Sequence, residues 1–156
     1  MEYRLYDIRE TIDLKQWEVA DKIGMSRGNY ANKESEIANI TLKDFNNYCN
    51  VFEYSMDYVA RLTAIPTYRN IKYITFIDKT IIKERLSTIE KEQNISAKAI
   101  AKLLGVAECT YSEYKNPNSN NMIQTLFLKK ICLTFNYSMD WVVGRTENKS
   151  IKTHSK

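Results

Sequence analysis

Three cysteines, one histidine, eleven tyrosines and nineteen acidic residues carry most of the chemical scope of this 156-residue chain. Their spacing withholds most of it. Cys49, Cys109 and Cys132 are odd in number and form no C-x-x-C pair, which gives neither a disulfide framework nor a zinc site. Cys49 and Cys132 fall at apolar helical positions, where a free thiol packs as a small hydrophobe. His154 lies in a polar tail with no partner in view, so a histidine-based triad is not expected. There is no glycine-rich phosphate loop, no H-E-x-x-H and no paired-carboxylate motif. No catalytic residue, cofactor site or metal site is therefore expected. The tyrosines would suit base-stacking platforms for single-stranded nucleic acid. Against that, Tyr30, Tyr48, Tyr54, Tyr58, Tyr111 and Tyr137 fall on inward helical faces or at internally repeated positions, which favours core packing. Tyr68 and Tyr73 find no such place.

Composition sets the frame for these side chains. Gly and Pro number 4 and 2, under 4% of the chain together, against about 12% in ordinary proteins. That scarcity excludes a Rossmann or P-loop enzyme and a turn-rich β-sandwich, and favours helices. The 44% hydrophobic fraction suffices for a core. No apolar run approaches the roughly 18 residues that span a bilayer, and no signal-peptide pattern opens the chain; a soluble, cytoplasmic protein is expected. The net charge of +4 is unevenly spread: residues 1–63 carry 8 basic and 11 acidic side chains, and residues 64–147 carry 12 and 8. The tail 148–156 adds three lysines.

The chain also repeats itself. Cys49-x-x-Phe52-x-Tyr54-Ser55-Met56-Asp57-Tyr58-Val59 recurs as Cys132-x-x-Phe135-x-Tyr137-Ser138-Met139-Asp140-Trp141-Val142, 83 residues on. Ala20, Gly24 and Tyr30 recur as Ala101, Gly105 and Tyr111, 81 residues on, with Leu5, Ile8, Val19 and Ile23 matched by Leu86, Ile89, Ile100 and Leu104. The two-residue difference falls in the polar stretch 116–121, which reads as a loop. Each copy reads as five short helices. Ser26, Thr41 and Ser55 are N-cap candidates, Asp57 sits where a carboxylate favours a positive helix N-terminus, and Gly144 sits at a C-terminal cap. Residues 64–78 break the pattern: Pro66 stops a helix and residues 71–77 are β-branched and aromatic. They read as an extended linker that packs on something, or as a short strand. The expectation is an all-α chain of two tandem five-helix domains, 1–63 and 79–147, joined by linker 64–78 and followed by the basic tail 148–156.

A small Ala, a Gly four residues on and an apolar residue six beyond the Gly is the arithmetic of a helix-turn-helix. At Leu14-Lys15-Gln16-Trp17-Glu18-Val19-Ala20-Asp21-Lys22-Ile23-Gly24-Met25-Ser26 the sequence resembles the lambda-repressor-like (Cro/CI, XRE) helix-turn-helix family. Tyr54–Val59 and Tyr137–Thr146 resemble that family's fifth helix, and the likeness spans nearly the whole chain. The resemblance implies a third helix whose N-terminal side chains meet base edges in the major groove, with the start of the second helix on phosphate. Carried over by position, Arg27, Gly28, Asn29 and Asn32 would read bases, Gln16 would bond a phosphate, and Ser26 and Lys33 would add backbone contacts. Arg suits guanine and Asn suits adenine, each at about 1–3 kcal/mol of discrimination.

The second copy departs from this pattern. Its matching positions hold Glu108, Cys109, Thr110 and Glu113, with Ala97 in place of Gln16, and two carboxylates oppose phosphate. Its lysines (Lys98, Lys102, Lys115, Lys129, Lys130) meet phosphates from the side or are solvated surface. The resemblance therefore implies a repressor-type transcriptional regulator of bacterial or phage type that binds double-stranded operator DNA through the first copy. A homodimer would supply two half-sites of a pseudo-palindrome, and the second copy would serve assembly or a protein partner. The rival is the same fold repurposed as a protein-interaction module: an antirepressor, an antitoxin or an inhibitor of a host defence complex.

Overall fold

The computed structural model describes residues 1–153, and His154 lies outside the described residues. Ten α-helices and no strand occur among them, so the chain is all-α. They are α1 (Leu5–Thr11), α2 (Gln16–Ile23), α3 (Arg27–Glu34), α4 (Leu42–Phe52), α5 (Met56–Val59), α6 (Lys79–Glu92), α7 (Ala97–Leu104), α8 (Glu108–Lys115), α9 (Thr125–Phe135) and α10 (Met139–Val142). Helix lengths recur across the two halves: α2 and α7 have 8 residues, α3 and α8 have 8, α4 and α9 have 11, and α5 and α10 have 4. Only the first helix differs, α6 being twice as long as α1 at 14 residues against 7.

Local sequence explains the boundaries. Ser26, Thr41, Ser55, Ser96 and Ser138 adopt extended backbone, and each side chain accepts the N–H three residues on, which satisfies a donor that the first turn leaves unpaired. Gly24 and Gly105 close α2 and α7 in the left-handed region, at φ 73° and 71°, where a β-carbon would strain the backbone. At the end of α10, Gly144 has φ 88°, and a β-carbon there would lie 3.1 Å from the side chain of Ile81. One buried cluster runs through both halves. It includes Leu5, Val19, Tyr30, Phe45 and Cys49 from the first and Leu86, Ile100, Tyr111, Leu128 and Cys132 from the second. Full burial of each such aliphatic side chain contributes about 1.5–3 kcal/mol.

The halves meet through α5 and α10, with Met56, Val59, Met139 and Val142 fully buried. Asp57 stands in the first turn of α5, where a carboxylate favours the helix N-terminus, and it also serves the other half. Its carboxylate accepts from the Met139 N–H at 2.7 Å and the Ser138 hydroxyl at 2.6 Å. In return Asp140 accepts from the N–H groups of Met56 and Asp57, at 2.9 and 3.2 Å. Both carboxylates are buried, and so is Arg145, whose Nη1 lies 2.6 Å from Asp140. Nη2 of Arg145 donates to Asn50 Oδ1 and to the Tyr54 carbonyl, both at 3.2 Å.

Residues 64–78 form neither helix nor strand. The Ile74 carbonyl accepts from the side chains of Asn46 and Asn50, at 2.9 and 2.6 Å, which lays this segment along α4. Lys129 stands at the position of Asn46 in the repeat, and its Nζ donates to the Glu2 carbonyl at 2.7 Å. The residues leading into the first helix of each half thus cross onto the fourth helix of the other. The two tyrosines without a place in the repeat gather at the junction. Tyr73 lies under the Arg145 guanidinium at 5.7 Å. Burial, together with Asp140 and Asp57, pushes the Tyr68 hydroxyl well above its ordinary pKa.

Candidate nucleic-acid interface

The turn at Gly24 sets α3 across α2, with Tyr30 fully buried between α3 and the core. That packing turns Arg27, Gly28, Asn29 and Asn32 outward, and all four are exposed. No side-chain hydrogen bond or ion pair to the rest of the described residues engages Arg27, Asn29 or Asn32. Ser26 is exposed as well, but its hydroxyl oxygen accepts from the Asn29 N–H at 3.2 Å, so it holds the helix end and only its proton is free to donate. Gly28 has open space around its α-carbon, and nothing in the fold requires a glycine there.

Two of the expected contact residues are already engaged. Gln16 begins α2 half-buried, and one N–H of its amide donates to Glu34 Oε1 at 3.3 Å, leaving the second N–H and the carbonyl oxygen without a partner among the described residues. Lys33 is buried, and its Nζ donates to the Asn39 carbonyl at 3.0 Å, tying the loop between α3 and α4 to the helix. The ammonium expected to meet phosphate thus already has an acceptor within the fold. Glu34, at the end of α3, takes Arg9 through two bonds, Nε to Oε2 at 2.8 Å and Nη2 to Oε1 at 3.0 Å. Burial pushes the Glu34 carboxyl up, but its hydrogen bonds, led by Arg9, outweigh that and hold it below the usual carboxylate range.

At the matching positions of the second half, Glu108, Cys109 and Glu113 are exposed and Thr110 is half-buried. Ala107 replaces the capping serine, so α8 has no side-chain cap. Glu113 accepts from the Asn121 side chain at 2.8 Å. The ion pair is present here with its charges exchanged. Glu90 stands where Arg9 does and Lys115 where Glu34 does, Nζ to Oε2 at 2.6 Å, with the Tyr111 hydroxyl donating to the same oxygen at 3.0 Å. Of the five lysines considered for phosphate, Lys115 and Lys129 are held by Glu90 and Glu2, while Lys98, Lys102 and Lys130 are exposed.

The signal for the exchanged pair was in the sequence: at the 81-residue offset, Arg9 and Glu34 align with Glu90 and Lys115. Arg145 gave less warning, since it aligns with Leu62, and besides its pairing with Asp140 it donates to Asn50 and Tyr54 of the other half. Among the described residues no group of His, Cys, Asp and Glu is placed to hold a metal ion, and no helix is long and apolar enough to cross a membrane. No protein-family model, curated protein or solved structure matches this chain.

Proposed function

We propose that the chain is a sequence-specific DNA-binding transcriptional regulator of repressor type, in which α2 and α3 form a helix-turn-helix and α3 reads the major groove. The observation that carries this reading is the contrast along α3. Tyr30, Lys33 and Glu34 are buried or paired, while Arg27, Asn29 and Asn32 keep their donors and acceptors free on one exposed face. Those side chains suit guanine and adenine edges. The two five-helix sets then form tandem helix-turn-helix domains, of which only the first presents a face fit for bases. The second turns Glu108 and Glu113 to the same surface and would repel phosphate. One chain then reads one half-site, and a second chain supplies the other half of a pseudo-palindrome.

The test is selection of bound fragments from a random pool of double-stranded DNA, followed by gel shifts on the enriched sequence. Arg27→Ala is expected to abolish specific binding while Glu108→Ala leaves it intact. Equal tolerance of both changes, or binding that does not weaken with salt, would overturn the proposal.

A further inference from the structure

The linker 64–78 and the basic tail take no part in the proposed DNA contact, and the fold brings them together. After the fifth helix of each half the chain doubles back on that helix's cap in the same way. The Ser55 N–H donates to the Pro66 carbonyl at 2.8 Å, and the Ser138 N–H donates to the Lys149 carbonyl at 2.6 Å. The two returning segments then meet where the halves join. The Lys72 N–H donates to the Arg145 carbonyl at 2.6 Å, and the Thr63 hydroxyl donates to the Lys152 carbonyl. Between these segments lies a cavity of about 300 Å³, whose lining includes Tyr68, Arg69, Lys72, Asn148 and Lys152. Its charge is one-sided. Arg69 and Lys152 hold the same position of the repeat, 83 residues apart, so the junction draws one cation from each half into a single concavity, and Lys72 adds a third. None of the three has an acidic partner among the described residues. The one carboxylate in the lining, Glu147, is 77% exposed and taken by Arg85 at 3.2 Å. Tyr68 also keeps a hydroxyl without a hydrogen-bond partner.

Like charges held around a concavity repel one another, and its low-dielectric walls focus their field, so such a site gathers anions. We infer that this cavity binds the phosphate group of a small phosphorylated molecule, which would bridge the two halves. Three cations suit the nearly double charge of a phosphomonoester at neutral pH better than the single charge of a carboxylate. The planar fork of the Arg69 guanidinium matches two phosphate oxygens at once. The volume stands at the small end of ligand cavities, which fits a phosphate carrying a few carbons. The phosphodiesters of DNA offer the same oxygens with one charge each, so the two sources of phosphate are separated in the test. The inference stands apart from the reading of α3 as a DNA-binding helix.

The measurement is isothermal titration calorimetry of the full chain with inorganic phosphate and with glycerol 3-phosphate, at constant ionic strength. Saturable binding of one phosphate group per chain is expected, with acetate silent. Arg69→Ala and Lys152→Ala should each weaken binding about tenfold, the loss that goes with one charge-assisted hydrogen bond. The control Lys98→Ala/Lys102→Ala removes two exposed lysines elsewhere and should change nothing. Thermal melts without phosphate establish that each variant is folded. Gel shifts on the selected DNA should be unchanged by Arg69→Ala and by Lys152→Ala, so that loss of phosphate and loss of DNA binding are read separately. No saturable binding of either phosphate, equal binding of acetate, or an equal loss in the control variant would overturn the inference. So would weakened DNA binding in the two cavity variants without binding of the free phosphates, since that would assign these cations to the DNA backbone.

Discussion

Asp57 and Asp140 each close the N-terminus of the helix that the other belongs to. Asp57 takes the Met139 N–H at 2.7 Å, and Asp140 takes the Met56 N–H at 2.9 Å. The exchange is symmetric in geometry and asymmetric in charge, because Arg145 sits on Asp140 alone. Asp140→Asn would leave a fully buried guanidinium without its counter-ion, a change that typically costs about 3–5 kcal/mol. Asp57→Asn keeps the shape and a hydrogen bond to the Met139 N–H, and should cost less than about 1 kcal/mol. Chemical denaturation of both variants at pH 7 checks the difference; equal losses would contradict it.

The same site should make stability depend on pH. Burial first, and then the Asp140 charge, push the Asp57 carboxyl well above its ordinary value. A carboxyl that holds its proton more tightly folded than unfolded contributes stability below its unfolded pKa. That contribution is lost as pH rises through the folded value. Wild type minus Asp57→Asn should therefore fall from about pH 4 upward until the carboxyl ionises. Denaturation midpoints across pH would show the slope, and a flat difference would count against it.

The exchanged ion pairs invite a swap. Glu34→Lys alone sets a second cation against Arg9 and should be strongly destabilising. Adding Arg9→Glu rebuilds in the first half the pair that the second half uses, and should recover about 1–3 kcal/mol of coupling. A double-mutant cycle in thermal melts measures it, and simple additivity of the two changes would refute it. In acid the wild-type pair should fail too, since the lowered Glu34 carboxyl contributes stability that is present above its unfolded value and lost as pH falls through its folded one.

Lys33 and Arg27, both basic and both on α3, should behave oppositely. Lys33→Ala removes the bond to the Asn39 carbonyl and should lower the melting temperature, with DNA affinity of the folded protein unchanged. Arg27→Ala should leave the melting temperature unchanged and remove sequence preference. Melts and gel shifts on the same samples separate the two.

Much of the helical plan was legible in residues with strong local rules. Ser26, Thr41 and Ser55 cap where their types suggest, and Gly24 and Gly105 turn where a β-carbon would be strained. Positions whose role depends on distant chain were not legible. Lys33 reads as an outward cation that would meet the DNA backbone until the loop carbonyl of Asn39 is placed over it. Asp57 reads only as a carboxylate at the N-terminus of its own helix, because nothing local reveals that Ser138 and Met139 will arrive opposite. The linker's apolar side chains announced that it would pack, but Asn46 and Asn50 name its seat only once α4 is oriented.

The reciprocal capping also fixes an order of events during synthesis. The Met56 N–H waits for a carboxylate 84 residues further along the chain, which at about 5–20 residues per second is roughly 4–17 s of translation. Through that interval the nascent first half carries the apolar face of α5 uncovered and its helix end open. A ribosome stalled between residues 64 and 138 should therefore hold a protease-sensitive fifth helix, and release past Asp140 should protect it in one step.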